Sequence, residues 1–461
     1  MLQRCDVPMK RSMPDNCWRP DKSFISSTIR TFFGDFMRLL YHEVCFLCCQ
    51  NRYISFVDLN MSGSLKNDTI CDMKNVKTRY DILDGLRGVA AILVVVSHVC
   101  ECYMPSSRMW PQWVGHAHLA VDFFFALSGF VIAYAYDDRW GKMSYWDFSR
   151  RRLLRLHPLV VLGCVLGFAV YLIYGKWVDP NMARLPLWMA GLLFAMTCFM
   201  LPVPRVVGGV AVFNMNPFNG PNWSLTYEYV ANILYALVFR RLGKRMLALL
   251  MIIAGVLSVC FVMKFDIWGN LAGRARYSLT AGFGLTWSAG GVYGGLIRLL
   301  FPFLMGMFIA RSRKFLRLPH AFWLCSAALV AVIMVPRTGM FAKGDGWTYQ
   351  MADPLNGIFE LFCLFVAFPL ILCVGAGGEV KNATSVRLCR FLGAISYPLY
   401  MVHYPFIHIY HAWAVDNALA YPLSVHVSIA AGFTLGSIFL AWLTLKLYDE
   451  PVRRWLSGRK P

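Results

Sequence analysis

From Asp81 onward, one apolar stretch of bilayer-spanning length follows another, separated by short polar or basic turns. A helix needs about 20 apolar residues to cross a hydrocarbon layer of ~30 Å. Within that layer every backbone N–H and C=O must be paired inside the protein, which a helix achieves by itself. The pattern therefore restricts the chain to an all-α, polytopic membrane bundle. Composition agrees, with 58% of the 461 residues hydrophobic and 15% charged, against roughly 25% charged in ordinary soluble domains. So few charges cannot cover a water-facing surface, which excludes a disordered chain, a coiled coil and a soluble nucleic-acid binder. The formal charge of +20 does not restore a nucleic-acid partner, because the basic residues form short clusters between apolar runs. That is the pattern of cytoplasmic loops under the positive-inside rule.

Full spans are predicted near 84–103, 119–136, 153–174, 222–239, 246–263, 295–311, 320–336, 357–378, 391–411 and 424–448, about ten in all. An eleventh apolar run, 185–202, is settled by charge. If it crossed, Arg240, Arg241, Lys244 and Arg245 would lie outside, as would Arg311, Arg313, Lys314 and Arg317. If it only dips in and returns, every basic cluster from Lys74 to Lys460 lies inside. We therefore expect a re-entrant or interfacial 185–202 and cytoplasmic termini. The core is expected at 79–457 with a short tail at 458–461. Residues 1–78 have no helical period and no signal peptide, and are expected to be a disordered cytoplasmic extension or to precede the true start. Cys45, Cys48 and Cys49 lack a second pair at zinc-finger spacing, and Cys164, Cys260 and Cys363 sit in apolar segments as small hydrophobes. No disulfide framework, structural zinc or permanently bound cofactor is expected.

Ionisable residues inside spans are costly and point to function. Arg87 and His98 lie 11 residues apart in the first span, about 1100° of rotation or roughly 20° past three turns, so they share a face ~16 Å apart along the axis. Arg87 falls at the cytoplasmic headgroup level and His98 near mid-bilayer. Arg152 and Arg155, at i and i+3, stack on one face where guanidinium forks suit phosphate oxygens of a cytoplasmic ligand. In Asn222-Trp223-Ser224-Leu225-Thr226-Tyr227-Glu228, Ser224 and Glu228 share a face; the carboxylate is placed below the outer surface, and if it serves as a structural partner for another helix, Arg298 is a candidate. Ser396, Tyr397, Tyr400 and His403 lie in a span with Pro398 and Pro405, which kink it and free carbonyls, as in a helix lining a cavity. Asp122 and Ser128 add polarity to the second span. His116 and His118 fall in an outer loop, are expected to be exposed, and receive no role.

Leu83-Asp84-Gly85-Leu86-Arg87-Gly88-Val89-Ala90-Ala91, ending in His98, resembles the opening signature of the acyltransferase-three family of membrane acyltransferases. Val121-Asp122-Phe123-Phe124-Phe125-Ala126-Leu127-Ser128-Gly129-Phe130 resembles its second helix, and Arg152-Leu153-Leu154-Arg155 its Arg-x-x-Arg segment, with His157 where the family often has Tyr. Trp223-Ser224-Leu225 with Glu228, Ser396-Tyr397 to His403, and Glu450-Pro451 follow in order, covering about 80–457. The resemblance implies transfer of an acyl group, usually acetyl from acetyl-CoA, to a hydroxyl of a surface or exported carbohydrate or glycolipid. It implies essential roles for Arg87 and His98, donor handling by Arg152 and Arg155, and a place in a bacterial inner (plasma) membrane. Some members carry an additional hydrolase-like domain; here the membrane core is expected to act alone. His98 could then be a general base or carry the acyl group, and Glu228 could orient an imidazole or bind sugar hydroxyls. The rival is a glycan or lipid transporter using the same intramembrane polar residues; inverted repeats would favour it, and none is evident.

The charge distribution makes a direct topological prediction. A single cysteine placed among 240–245 should be shielded from a membrane-impermeant thiol reagent applied from outside. Labelling from that side would overturn the ten-span arrangement.

Overall fold

The computed structural model describes residues 79–102, 115–212, 214–265, 277–279, 288–338, 353–417 and 420–458. The expected extension at 1–78 and the end of the expected tail lie outside them. The helices, in chain order, are α1 (Asp81–Glu101), α2 (Leu119–Tyr136), α3 (Tyr145–Val178), α4 (Leu187–Cys198), α5 (Asn222–Leu237) and α6 (Lys244–Val262). They continue as α7 (Ala289–Ser312), α8 (Ala321–Met334), α9 (Pro354–Phe362), α10 (Phe368–Gly377), α11 (Ala383–Asn417), α12 (Leu423–Thr444) and α13 (Glu450–Leu456). Single π-helical turns join α9 to α10 and α12 to α13. The only sheet among the described residues is a hairpin pairing Val206–Val207 with Val210–Ala211.

Seven helical stretches are long and apolar enough to cross a membrane: 81–101, 119–139, 145–178, 244–262, 290–312, 354–377 and 423–456. Three of the ten expected spans differ. Helices α5 and α8 have 16 and 14 residues, and α11 has 35 but carries many polar side chains. The 12-residue α4 is about 18 Å long at 1.5 Å per residue, too short for a ~30 Å layer. Helix α5 is short because the preceding loop is itself buried, with Asn216 and Asn219 fully enclosed, as is Asn222 at the helix start.

Local chemistry explains several boundaries. Ser144 caps α3 through a capping box in which its hydroxyl accepts from Asp147 N and its own N–H donates to the Asp147 carboxylate. Pro405, inside α11, cannot donate to the carbonyl of Met401 four residues earlier. Asn219 Nδ2 donates to that carbonyl at 3.0 Å, so a buried loop amide repairs the interruption. Gly163 of α3 leaves room for this contact, since a Cβ there would meet both groups.

Two helix pairs dominate the packing: α1 against α11, and α2 against α7. In the second pair the backbones touch, because a Cβ on Gly129 would strike the Phe303 carbonyl and one on Gly306 the Ala126 carbonyl. Such small-residue crossings replace a hydrophobic driving force that a lipid setting cannot supply between helices. Gly129→Ala and Gly306→Ala should therefore each destabilise by about 1–3 kcal/mol through overpacking. The measurement is the thermal unfolding midpoint in detergent; unchanged midpoints would refute the tight crossing.

Candidate active site

Helix α1 presents Arg87 and His98 to the same neighbour, α11. Arg87 Nε donates to Ser396 Oγ at 2.9 Å and Nη2 to the Gly393 carbonyl at 3.0 Å, with Asp84 3.3 Å away. Eleven residues later the His98 ring stacks on that of His403, centroids 5.5 Å apart and planes 23° apart. Each end of this contact opens into a cavity.

The Arg87 cavity, about 110 Å³, is lined by Arg87, Ser128, Arg152, Arg155, Ser224, Glu228, Ser396, Tyr397 and Tyr400 among others. Arg152 is buried and its donors are committed: Nη2 to Glu228 Oε1 at 2.8 Å and Nε to Asn232 Oδ1 at 2.7 Å. Asn232 Nδ2 donates back to the Glu228 carbonyl, and Ser128 Oγ donates to Glu228 Oε1. Glu228 thus takes Arg152 and not the candidate Arg298, and its placement near the outer surface is corrected. Because α5 starts from a buried loop, Glu228 lies with Arg87, at the opposite end of α1 from His98. It cannot orient that imidazole. Arg155, one turn beyond Arg152, is exposed and has no hydrogen-bond or ion-pair partner among the described residues. Tyr397 is tied down, its hydroxyl donating to the Leu156 carbonyl at 2.7 Å.

The His98 cavity, about 480 Å³, is lined by His98, Glu101, Asp179, Asn181, Asn214, Trp223, Arg298, Tyr400, Tyr404 and His408 among others. Glu101 Oε2 lies 2.9 Å from His98 Nδ1. A carboxylate only accepts, so Nδ1 carries a proton, and in the neutral ring the lone pair is then on Nε2, the tautomer a base requires. His403, fully buried, donates Nδ1–H to the Leu399 carbonyl at 2.8 Å. It backs the His98 ring rather than lining the cavity. Glu101 was not singled out from the sequence, although its i+3 spacing from His98 is the signal that would have found it.

Asp122 takes no part in either cavity's lining. Arg298 holds it from α7, with Nη2 to Oδ2 at 2.7 Å and Nε to Oδ1 at 3.2 Å, both side chains fully buried. The same Nη2 donates to the His118 carbonyl. His116 and His118, expected to be exposed, are instead packed against Glu360, with His118 Nε2 at 3.0 Å and His116 Nδ1 at 3.5 Å from Oε1. They are enclosed because Glu360 is itself fully buried and needs donors, among them Ser278 Oγ and Leu279 N. The ligand atoms of His116, His118 and Glu360 lie within 4.8 Å of one another, a spacing that could hold a metal ion. His116 Nδ1 and His118 Nε2 are buried without a well-formed hydrogen bond. Arg337 Nη2, which can only donate, sits 3.1 Å from His118 Nδ1, so the His118 proton is on Nε2, facing Glu360. Burial pushes His118 down to about 4, keeping it neutral. Asp122 pairs with Arg298, and Arg337 lies against the His118 and Glu360 side of the cluster.

The Arg152–Glu228 pair is a structural tie as well as a cavity wall. Glu228→Gln leaves a buried guanidinium without its counter-charge, which should cost about 3 kcal/mol, the lower end for broken buried pairs, because Glu228 retains 20% exposure. Arg155→Ala should leave stability within about 0.5 kcal/mol. Thermal unfolding of the two variants in detergent checks this; equal losses would mean that Arg155 is also committed.

Three comparisons bear on identity. Residues 80–446 match the family model described as an acyltransferase domain. The chain is 24% identical over 428 residues to acyltransferase MdmB of Streptomyces mycarofaciens, covering 83% of this chain and 94% of that protein. It is 31% identical over 202 residues to protein 2 in the picA locus of Rhizobium radiobacter, 41% of this chain and 96% of that one. A Staphylococcus aureus (strain COL) protein named "Putative O-acetyltransferase SACOL0978" is 23% identical over 398 residues, 83% of this chain and 58% of that protein. No solved structure matches the chain. The family match covers most of the chain and includes both cavities. The protein belongs to the acyltransferase-three family and is a multi-pass membrane acyltransferase.

Proposed function

We propose that the protein transfers an acetyl group from cytoplasmic acetyl-CoA to a hydroxyl of a surface or exported carbohydrate or glycolipid. The observation that carries this is that Tyr400 and Val121 line both cavities. A basic cavity and a cavity holding a carboxylate-oriented imidazole thus share one wall. The cationic end of α1 suits a donor rich in phosphates, and positive-inside logic assigns it to the cytoplasm. The Arg87 cavity is too small for a nucleotide. It suits the narrow thioester arm, with the exposed Arg155 left to hold phosphates at the rim. The His98 cavity suits a hydroxyl-rich acceptor. It offers the face of Trp223 and the polar groups of Asp179, Asn181 and Asn214, within the usual volume range of ligand sites. The acetyl assignment is supported by the staphylococcal relative's name.

Hydroxyls are weak nucleophiles near neutral pH and need a base. His98 Nε2 takes the acceptor's proton as its oxygen attacks the thioester carbon. Glu101 holds the ring and stabilises the imidazolium that forms. When the C–S bond breaks, the same imidazolium returns the proton to the leaving sulfur. A free ester and free thiol result, and His98 ends as it began.

His98→Gln keeps a donor and an acceptor but no titratable base, so kcat should fall by about 10²–10⁴ with donor KM little changed. Near wild-type turnover in that variant would end the assignment. Arg155→Ala should raise KM for acetyl-CoA about tenfold to a hundredfold, from the loss of about 1.5–3 kcal/mol of charge-assisted contact. Arg155→Lys should rescue only part, because the fork is lost. The assay is transfer of labelled acetyl from acetyl-CoA in proteoliposomes, with the product identified by mass spectrometry. Label appearing in no carbohydrate fraction would refute the acceptor class.

A further inference from the structure

We infer that Tyr400 is a catalytic residue of this transfer: its phenolic hydroxyl donates to the thioester carbonyl oxygen as negative charge develops there. The inference rests on the proposed acetyl transfer and assigns a group that transfer needs and His98 cannot supply. Acyl transfer passes through a tetrahedral oxyanion, whose stabilisation by fixed donors is usually the largest single contribution to the rate.

The position comes first. A thioester reaching up from the Arg87 cavity and a hydroxyl coming from the His98 cavity must meet at the shared wall, and Tyr400 carries the only hydroxyl lining both cavities among the described residues. Arg298 Nη1 is a buried donor with no partner, but Arg298 lines the His98 cavity alone.

The hydrogen bonds fix the direction of the proton. Ser224 Oγ donates to the Pro221 carbonyl at 2.9 Å, which uses its single hydrogen. Tyr400 Oη lies 2.8 Å from Ser224 Oγ, so the phenol must be the donor in that pair. At rest it therefore holds a neutral hydroxyl, a partner easily exchanged for an oxyanion that binds about twice as strongly. The ring is pre-positioned, only 7% exposed, with the Phe124 ring meeting it edge-on at 5.6 Å.

In the step, the acceptor oxygen bonds to the carbonyl carbon, the C=O π pair moves onto the carbonyl oxygen, and His98 Nε2 takes the acceptor proton. Tyr400 lends its O–H and keeps its own proton. Collapse restores the C=O, breaks the C–S bond, and the sulfur leaves with the proton from His98.

The test uses two substitutions that remove the same resting hydrogen bond from opposite sides. Tyr400→Phe deletes the donor; Ser224→Ala deletes only its resting partner and leaves the phenol available. Tyr400→Phe is expected to lower kcat by about 10²–10³ with both KM values within about threefold, while Ser224→Ala loses less than tenfold. Equal losses in the two variants would make Tyr400 a strut, and a Tyr400→Phe enzyme keeping more than a tenth of wild-type kcat would also overturn the assignment. Should Tyr400→Phe fail to fold, 3,5-difluorotyrosine at position 400 preserves the packing and makes the phenol more acidic. A shifted pH–rate profile is expected, and an unchanged one overturns the inference. If wild-type protein transfers no acetyl from acetyl-CoA, the proposed function falls together with the inference; transfer by wild type and Tyr400→Phe at comparable rates removes Tyr400 alone.

Discussion

A polar group enclosed in an apolar bundle must find its partner inside the protein, and that requirement organises this structure more than any single contact. Asp122 and Arg298 answer it by pairing between α2 and α7 with both side chains fully buried. Arg152 and Glu228 answer it between α3 and α5, and Asn219 does so for the carbonyl that Pro405 leaves behind. Where the requirement is met, the group is structure. Where a group beside a cavity is left uncommitted, as the exposed Arg155 is, it is available for chemistry.

Helix α11 is the element around which both halves of the candidate site are arranged. Ser396 receives Arg87, His403 backs His98, and Tyr400 lies between them at the junction of the two cavities. The three positions fall within eight residues, so one stretch of helix sets the separation between the cationic end and the basic end. The prolines flanking Tyr400 make the backbone carbonyls of this stretch depend on neighbours, which ties the loop before α5 to the same centre. The site is thus built from parts that are also the bundle's own packing.

The polar network around Glu360 holds a cluster with metal-like spacing. Its imidazoles are supplied by a segment that begins the second span, and its guanidinium follows α8. The His118 carbonyl is held by Arg298, which also lines the His98 cavity. Burial there serves the shape of that cavity wall.

The sequence by itself determined the class of the fold and the identity of most of the groups in the site. Apolar length dictates membrane helices, and helical periodicity alone puts Arg87 and His98 on one face, because a rise and a rotation per residue are properties of the backbone. The same periodicity puts Ser396, Tyr400 and His403 on one side of α11, but that this side meets α1 was decided by packing. Partner choice was decided only by tertiary structure. Glu228 takes Arg152 and not Arg298, and His116 and His118 are enclosed and not exposed, since both outcomes depend on how deep a buried loop carries the start of α5 and on which helices cross at Gly129 and Gly306. Those depths and crossings are set by close packing between segments distant in the chain, and no local pattern of residues encodes them.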